Sequence, residues 1–350
     1  MVLSMGTVKT FHRSLVFSGG GTRFALYGGM YNALDDLGKT PSLLIASCGG
    51  AFATLIINAF PTHIARKDYL QSEEFYNFIK SLSLTPYSQL YRIGFLALKK
   101  QYDKRHAPYI EDVYHRYLVT MAQNLSNLLP SLAKVQFSST LPTIIVGSKM
   151  LFTPDECGKR RWARKLYQKV LFTDTQTARH INLQAIQISS DNYLQSAVAK
   201  DILLKTEIPM LTAARISVSD MFYVAPVNIA GDVFAGGAID LLPIELANAL
   251  SQEVIREEKQ PYSSTEEALV RAVLGFSGNE RLAEVAQYPA HLINTRDATM
   301  VLKRFYSEKY INWKRCAVGI HFPKNYAHYR EQIEKQWNYG YQTTINAFKQ

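Results

Sequence analysis

The feature that most constrains the fold of this chain is a strand, turn and helix pattern that occurs twice near the start of the sequence. Residues 15–17 are apolar and lead into the small-residue turn 18–21, and residues 43–46 are apolar and lead into a similar turn at 47–50. Each turn is followed by a stretch with helical character, and the second helix is predicted to end at Pro61. The repetition predicts an α/β protein in which the two turns meet in space.

The two turns carry the groups that acyl transfer requires. In the first turn, Gly19, Gly20 and Gly21 allow main-chain N–H groups at a helix N-terminus to face an anion. In the second turn, Ser47 is a candidate nucleophile, and the glycines that follow it permit a sharp reversal from strand to helix. An oxyanion-binding loop beside a nucleophile is the minimum equipment for acyl transfer.

Cys48 is a rival nucleophile in the second turn. When Cys48 is taken as the central residue, the same turn offers a thiol in place of a hydroxyl. The two adjacent glycines, Gly49 and Gly50, follow Ser47 after one intervening residue, and this placement favours Ser47. Cys48 is then interpreted as a small buried apolar residue.

A third segment extends the pattern. Residues 213–217 read AARIS, residues 225–227 read APV, and residues 233–243 read VFAGGAIDLLP. In order and spacing, over about residues 12–250, these segments and the two turns resemble the motifs of the patatin-like phospholipases. Members of that family have a glycine-rich loop ending in a basic residue, a nucleophile in a Gly-x-Ser-x-Gly turn, and an Asp-Gly-Gly segment followed by Asn and Pro.

The resemblance implies a three-layer α/β/α fold with a mostly parallel central sheet and a helical insertion. It also implies hydrolysis of phospholipid or other lipid acyl esters by a Ser–Asp dyad, with no metal or organic cofactor. Carried over to this sequence, Ser47 is the nucleophile and position 235 is that of the base, while Arg23 fixes the loop or meets a phosphate. The residues that bind the oxyanion or shape the site are then Gly19, Gly20, Gly21, Arg23, Gly49, Gly236, Gly237 and Asp240.

The sequence departs from the family pattern at the catalytic carboxylate, because the expected Asp is Ala235. Without a base to take the nucleophile's proton, the chain as written is expected to be inactive or impaired. Three explanations stay open: an introduced substitution, a natural loss, or relocation of the base to Asp232 or Asp240. We rank substitution or loss above relocation, and restoring Asp at position 235 is predicted to raise esterase activity.

Alternative functions were weighed against this interpretation. A non-catalytic lipid-binding or regulatory protein that keeps the pocket is the main alternative. A hydrolase with a triad through Asp297 and His321 is another, although no motif surrounds His321. A dinucleotide-binding loop is disfavoured, because Phe24 breaks the Gly-x-Gly-x-x-Gly pattern.

Length and composition favour a single domain over residues 1–350. The chain is 47% hydrophobic and has no linker-like segment, and the motifs at both ends of residues 12–250 belong to one site. Residues 62–134 are predicted to form a helical insertion, and residues 251–350 a mainly helical C-terminal extension.

Cysteine usage and charge bear on compartment and partners. Three widely spaced cysteines and the lack of a signal-like N-terminus predict a cytoplasmic protein without disulfides. The net charge is +10, which favours either a solvated helix face or attraction to an anionic membrane surface; no nucleic-acid motif is present, and the oligomeric state is not predicted. The basic residues cluster in two blocks: Lys159, Arg160, Arg161, Arg164, Lys165 and Lys169 in one, and Lys99, Lys100, Lys104 and Arg105 in the other.

Overall fold

A computed structural model describes residues 9–88, 107–138, 140–312 and 317–349. The second basic block and Cys316 lie outside these residues. The strands are β1 (Phe11–Phe17), β2 (Leu43–Ser47), β3 (Ser83–Leu84), β4 (Val119–Thr120), β5 (Thr143–Met150), β6 (Tyr167–Phe172), β7 (Val198–Lys205), β8 (Val227–Ile229), β9 (Asp232–Ala235), β10 (Ser251–Glu258), β11 (His291–Asn294), β12 (Glu308–Asn312) and β13 (Ala317–His321).

The helices are numbered in chain order, and the first two follow the two glycine turns. They are α1 (Phe24–Asp36), α2 (Gly49–Ala59), α3 (His63–Leu70), α4 (Glu73–Ser81), α5 (Thr175–Ala178), α6 (Asp191–Leu194), α7 (Met210–Ser217), α8 (Ile244–Leu250), α9 (Ser264–Val273), α10 (Gly278–Val285), α11 (Ala298–Val301) and α12 (Tyr326–Ala347). Short 3₁₀ helices are at Pro86–Ser88, Pro154–Glu156 and Gly237–Asp240. Among the described residues, no helix has both the length and the apolar character needed to cross a bilayer.

The central sheet is mostly parallel, with the strand order β11, β10, β1, β2, β5, β6, β7. Strand β6 runs antiparallel to β5, and β9 pairs antiparallel with β5 beyond the end of β2. Side chains of β2 alternate between two apolar clusters, with Leu44 and Ala46 in one and Leu43 and Ile45 in the other. Helices cover both faces, so the predicted three-layer α/β/α fold is confirmed.

Among the described residues of the region predicted as a helical insertion, only the first part is helical. Helices α3 and α4 fall within it, whereas residues 107–134 form turns and the short strand β4. The main-chain N–H groups of Leu118 and Val119 donate to the carbonyls of Phe222 and Tyr223, at 3.0 and 2.8 Å. Because these groups find partners in a distant loop, the aromatic and apolar residues of this segment are buried without a helix.

The residues predicted as a mainly helical C-terminal extension also contribute to the centre of the sheet. Strand β10 pairs in parallel with β1, and β11 pairs in parallel with β10. The sequence of β10 does not look like a buried strand because it contains Arg256 and Glu257. Both side chains are nevertheless buried, and the Glu257 carboxylate accepts hydrogen bonds from Tyr27 and Thr295, at 2.8 and 3.1 Å.

Candidate active site

The connection from β2 to α2 is a sharp turn centred on Cys48. Its backbone dihedrals are φ 49° and ψ −129°, and helix α2 begins at the next residue, Gly49. A positive φ at a residue other than glycine costs about 1–3 kcal/mol and is commonly retained at functional sites. A strained strand-to-helix turn of this kind is the geometry of a nucleophile elbow. Centred on Cys48, the motif reads Ala46-Ser47-Cys48-Gly49-Gly50, with Gly50 as its second glycine.

The glycine-rich loop after β1 lies directly against this cysteine. A Cβ added to Gly19 would be 2.7 Å from the Cβ and 3.0 Å from the Sγ of Cys48, so only glycine allows this approach. The loop is held by side chains: Arg23 Nε donates to the carbonyl of Gly20 at 2.9 Å, and Lys259 Nζ donates to the carbonyl of Gly19. The two glycine turns therefore meet in space, as expected from the sequence.

Ser47 does not take the position predicted for it. It is the last residue of β2 and is fully buried, and its Oγ donates to the main-chain carbonyl of Asp240 at 2.8 Å. Because side chains alternate along a strand, Ser47 points to the same sheet face as Leu43 and Ile45, into the second apolar cluster. Of the two candidate nucleophiles, this geometry places Cys48 and not Ser47 at the centre of the turn.

The elbow is locked in place by the segment that precedes the third motif. The main-chain N–H of Cys48 donates to Ser217 Oγ at 2.8 Å, and Ser217 Oγ donates to the carbonyl of Val146 at 2.6 Å. A Cβ on Gly237 would lie 3.1 Å from the nitrogen of Cys48. Ser217 and Gly237 thus hold the turn against β5, which accounts for small residues at these positions.

Ala235 and the two candidates for a relocated base, Asp232 and Asp240, all make other contacts in the structure. Ala235 is buried in the second apolar cluster, on the strand that pairs with β5. The buried Asp240 carboxylate is 2.7 Å from Lys169 Nζ and 3.4 Å from Arg281. Asp232 is at the surface, 2.7 Å from Lys149 Nζ. Because both carboxylates have ion-pair partners of their own, the geometry disfavours relocation of the base to Asp232 or Asp240.

A different carboxylate faces the elbow, that of Asp220. Its Oδ1 accepts a hydrogen bond from the N–H of Ala238 at 2.9 Å. Burial first, and then the charge and hydrogen bond of Asp220, raise the pKa of the Cys48 thiol well above its usual value. The N–H of Gly49 hydrogen-bonds to the sulfur and acts in the opposite direction.

The first basic block is not a single solvated face. Arg161 and Lys169 are buried, and Lys169 is the partner of Asp240. Arg164 pairs with Glu156. Only part of the block is therefore available to an anionic surface.

The alternative triad through Asp297 and His321 is not assembled. The ring of His321 stacks on Tyr310 at 3.9 Å between ring centroids. The carboxylate of Asp297 accepts a hydrogen bond from Tyr339. The two side chains thus have separate partners.

The fold is that of an α/β protein with a mostly parallel central sheet. A model of the patatin-like phospholipase family matches residues 15–248. The chain belongs to the patatin-like phospholipase family, and lipid acyl hydrolysis is the general activity that this membership supports.

Two further comparisons give little beyond this membership. Among solved structures, VipD from Legionella pneumophila is similar at 14% identity and a TM-score of 0.37, over 97% of this chain and 67% of VipD. That likeness is too distant to support an argument about function. No curated protein sequence matches the chain.

Sequence reasoning missed Asp220, Ser217 and Lys259. Ser217 and Asp220 lie within or next to the residues quoted for the third motif, but nothing in the sequence shows that the end of α7 meets the elbow. Lys259 follows β10, a strand that is hard to predict from the sequence because it contains charged residues. The one sequence signal that points to Asp220 is the missing carboxylate at position 235, which leaves the position of the base open to other aspartates of the chain.

Proposed function

We propose that this protein is a lipid acyl hydrolase whose nucleophile is the thiol of Cys48. The observation that carries the proposal is the strained elbow at Cys48, with its sulfur against Gly19 of the glycine-rich loop. In such an elbow the central side chain is presented to the substrate. The main-chain N–H groups of residues 19–21 and of Gly49 are then the donors to the oxyanion that forms on the ester carbonyl.

The expected reaction passes through a thioester. The sulfur of Cys48 attacks the ester carbonyl carbon, the C–O bond to the alcohol breaks, and the alcohol leaves with a proton. Water then attacks the thioester, which releases the fatty acid and restores the thiol. The raised pKa of the thiol means that a base must remove its proton as the sulfur attacks.

A second candidate function is non-catalytic lipid binding. It is favoured by the alanine at position 235 and by the burial of Cys48, which is 8% exposed. Both candidates predict binding to lipid, and only the first predicts release of fatty acid.

We further propose that the exposed part of the first basic block contacts an anionic membrane surface. The indole of Trp162 is 77% exposed, and the guanidinium of Arg160 lies 5.6 Å from its ring centroid. Lys159 beside them is also exposed. An exposed indole next to cations suits the interface of an anionic bilayer.

These proposals are tested by mixing the full chain with phospholipid vesicles, made of phosphatidylcholine alone or with phosphatidylserine. Sedimentation measures binding, and quantification of free fatty acid measures hydrolysis. We expect fatty-acid release from both, with greater binding to the vesicles that contain phosphatidylserine. Binding without release over hours would contradict the hydrolase proposal and support the lipid-binding one. Equal binding to both vesicles would contradict contact through the basic block.

A further inference from the structure

The loop that follows α7 is attached to the turn of the third motif by two hydrogen bonds. The N–H of Gly236 donates to the carbonyl of Ser219 at 2.8 Å, and the N–H of Ala238 donates to Asp220 Oδ1 at 2.9 Å. These bonds fix both the backbone and the carboxylate of this loop beside residues 236–238. Asp220 is therefore positioned by the same segment that carries the family's catalytic carboxylate.

The glycines of the third motif make room for this carboxylate. A Cβ at Gly236 would overlap Asp220 Oδ1, so any other residue there would displace the aspartate. The next glycine, Gly237, lies against the nitrogen of Cys48. Two adjacent glycines therefore contact the Asp220 carboxylate and the backbone of the elbow, and Asp220 is close enough to the Cys48 thiol for its charge and hydrogen bond to raise the pKa of that thiol.

Another carboxylate near the glycine loop, that of Glu257, has different partners. Glu257 accepts hydrogen bonds from Ser18, Tyr27 and Thr295, and lies 3.7 Å from Lys259 Nζ. It supports the base of the loop. Asp220 is the carboxylate that hydrogen-bonds to the nucleophile proposed above.

We infer that Asp220 is the general base of this site and replaces the carboxylate that is missing at position 235. The inference rests on the proposed function of Cys48. Asp220 takes the thiol proton as the sulfur attacks the ester carbonyl, and then gives that proton to the departing alkoxide. It next takes a proton from the attacking water, and returns it to the sulfur when the thioester breaks.

The test is Asp220→Asn, which keeps an oxygen to accept the Ala238 N–H and removes the charge. We expect kcat/KM for a short-chain ester to fall by about 10²–10⁴-fold, as for loss of a general base. The matched control is Asp232→Asn, which changes an exposed aspartate next to the same segment and should leave kcat/KM unchanged.

A second measurement on the same variant separates a base from a merely structural residue. The rate of alkylation of Cys48 by iodoacetamide reports its thiolate, and peptide mass spectrometry distinguishes it from the other cysteines. Because a neighbouring carboxylate disfavours the thiolate, its removal should shift the alkylation midpoint down by about one pH unit. Within the described part of the chain, the other titratable groups that act on this thiol are Lys259, Tyr223 and Tyr262, which the variant leaves in place.

The inference therefore predicts opposite changes, a thiol that ionises more readily and an enzyme that turns over more slowly. Unchanged kcat/KM in Asp220→Asn would overturn the inference, and so would an unchanged alkylation midpoint. If the wild-type chain hydrolyses no ester, or hydrolyses it without Cys48, the proposed function fails instead.

The variant Ala235→Asp provides an independent check that does not alter Asp220. Because a base is already present, we expect less than about a twofold gain in kcat/KM from the added carboxylate. A gain of about tenfold or more would show that the wild-type site lacks a base and would overturn the inference. This outcome is the one expected from the sequence alone.

Discussion

Replacing Cys48 with alanine is expected to lower kcat/KM for ester hydrolysis by at least about 10³-fold, because the variant lacks the nucleophile. The matched control is Ser47→Ala, at the adjacent position. The Ser47 hydroxyl is buried and bonded to the carbonyl of Asp240. Its removal is expected to cost about 1–3 kcal/mol of stability and to change kcat/KM by less than about tenfold.

Initial rates on a soluble short-chain ester, measured at a temperature where both variants are folded, provide the comparison. The two substitutions remove one heavy atom each from neighbouring residues, so a difference between them reports the position of the side chain. Greater loss in Ser47→Ala than in Cys48→Ala would contradict the assignment of the elbow. Equal loss in both would indicate that either change disrupts the turn.

The second large effect is expected on stability, from Asp240→Asn. This change leaves Lys169 buried without its carboxylate partner, whereas Arg281 loses its contact at 3.4 Å and keeps its ion pair with Glu245. Breaking a buried ion pair by removing one partner costs about 3–5 kcal/mol. Asp232→Asn breaks the exposed pair with Lys149 and should cost at most about 1 kcal/mol. Urea unfolding monitored by tryptophan fluorescence measures both.

The ion pairs of Asp240 also predict how acid changes the stability of the protein. Burial alone would raise the pKa of Asp240, but the charges of Lys169 and Arg281 outweigh it and the pKa is lowered. A carboxyl group whose pKa is lower in the folded state contributes stability above its unfolded pKa of about 3.9, and that contribution is lost as the pH falls. Comparable stability of Asp240→Asn and Asp232→Asn at pH 7 would contradict a structural role for the buried network.

Much of the fold follows from the sequence because local patterns determine it. The apolar runs before the glycine turns predict β1 and β2, and the small residues predict that the turns approach each other. The direction of the side chains at the end of β2 is harder to predict from the sequence. A shift of one residue exchanges the sheet faces to which Ser47 and Cys48 point. The sequence motif allows either choice, and the backbone conformation at Cys48 favours one of them.

The rest depends on contacts between segments that are distant in the sequence. Asp220 is brought to the elbow by the hydrogen bond of Ser217 to β5 and by the bonds of its loop to residues 236 and 238. Strand β10 is hard to predict from the sequence because it contains Arg256 and Glu257. The charge of Glu257 is tolerated inside the protein because its carboxylate accepts hydrogen bonds from three side chains. From the sequence, the first block of basic residues looks like one charged surface, but the side chain of Lys169 is buried and pairs with Asp240. These contacts form only in the folded chain, so local sequence patterns do not predict them.

The most direct test of the account is the identity of the residue that carries the acyl group. The full chain is mixed with an activated short-chain ester, quenched in acid within the first turnover, digested and analysed by peptide mass spectrometry. The account predicts one acyl group per chain on the Cys48 sulfur, removable by neutral hydroxylamine and absent from the Cys48→Ala variant. An acyl group on Ser47, or turnover of the ester without any acyl group on Cys48, would contradict it.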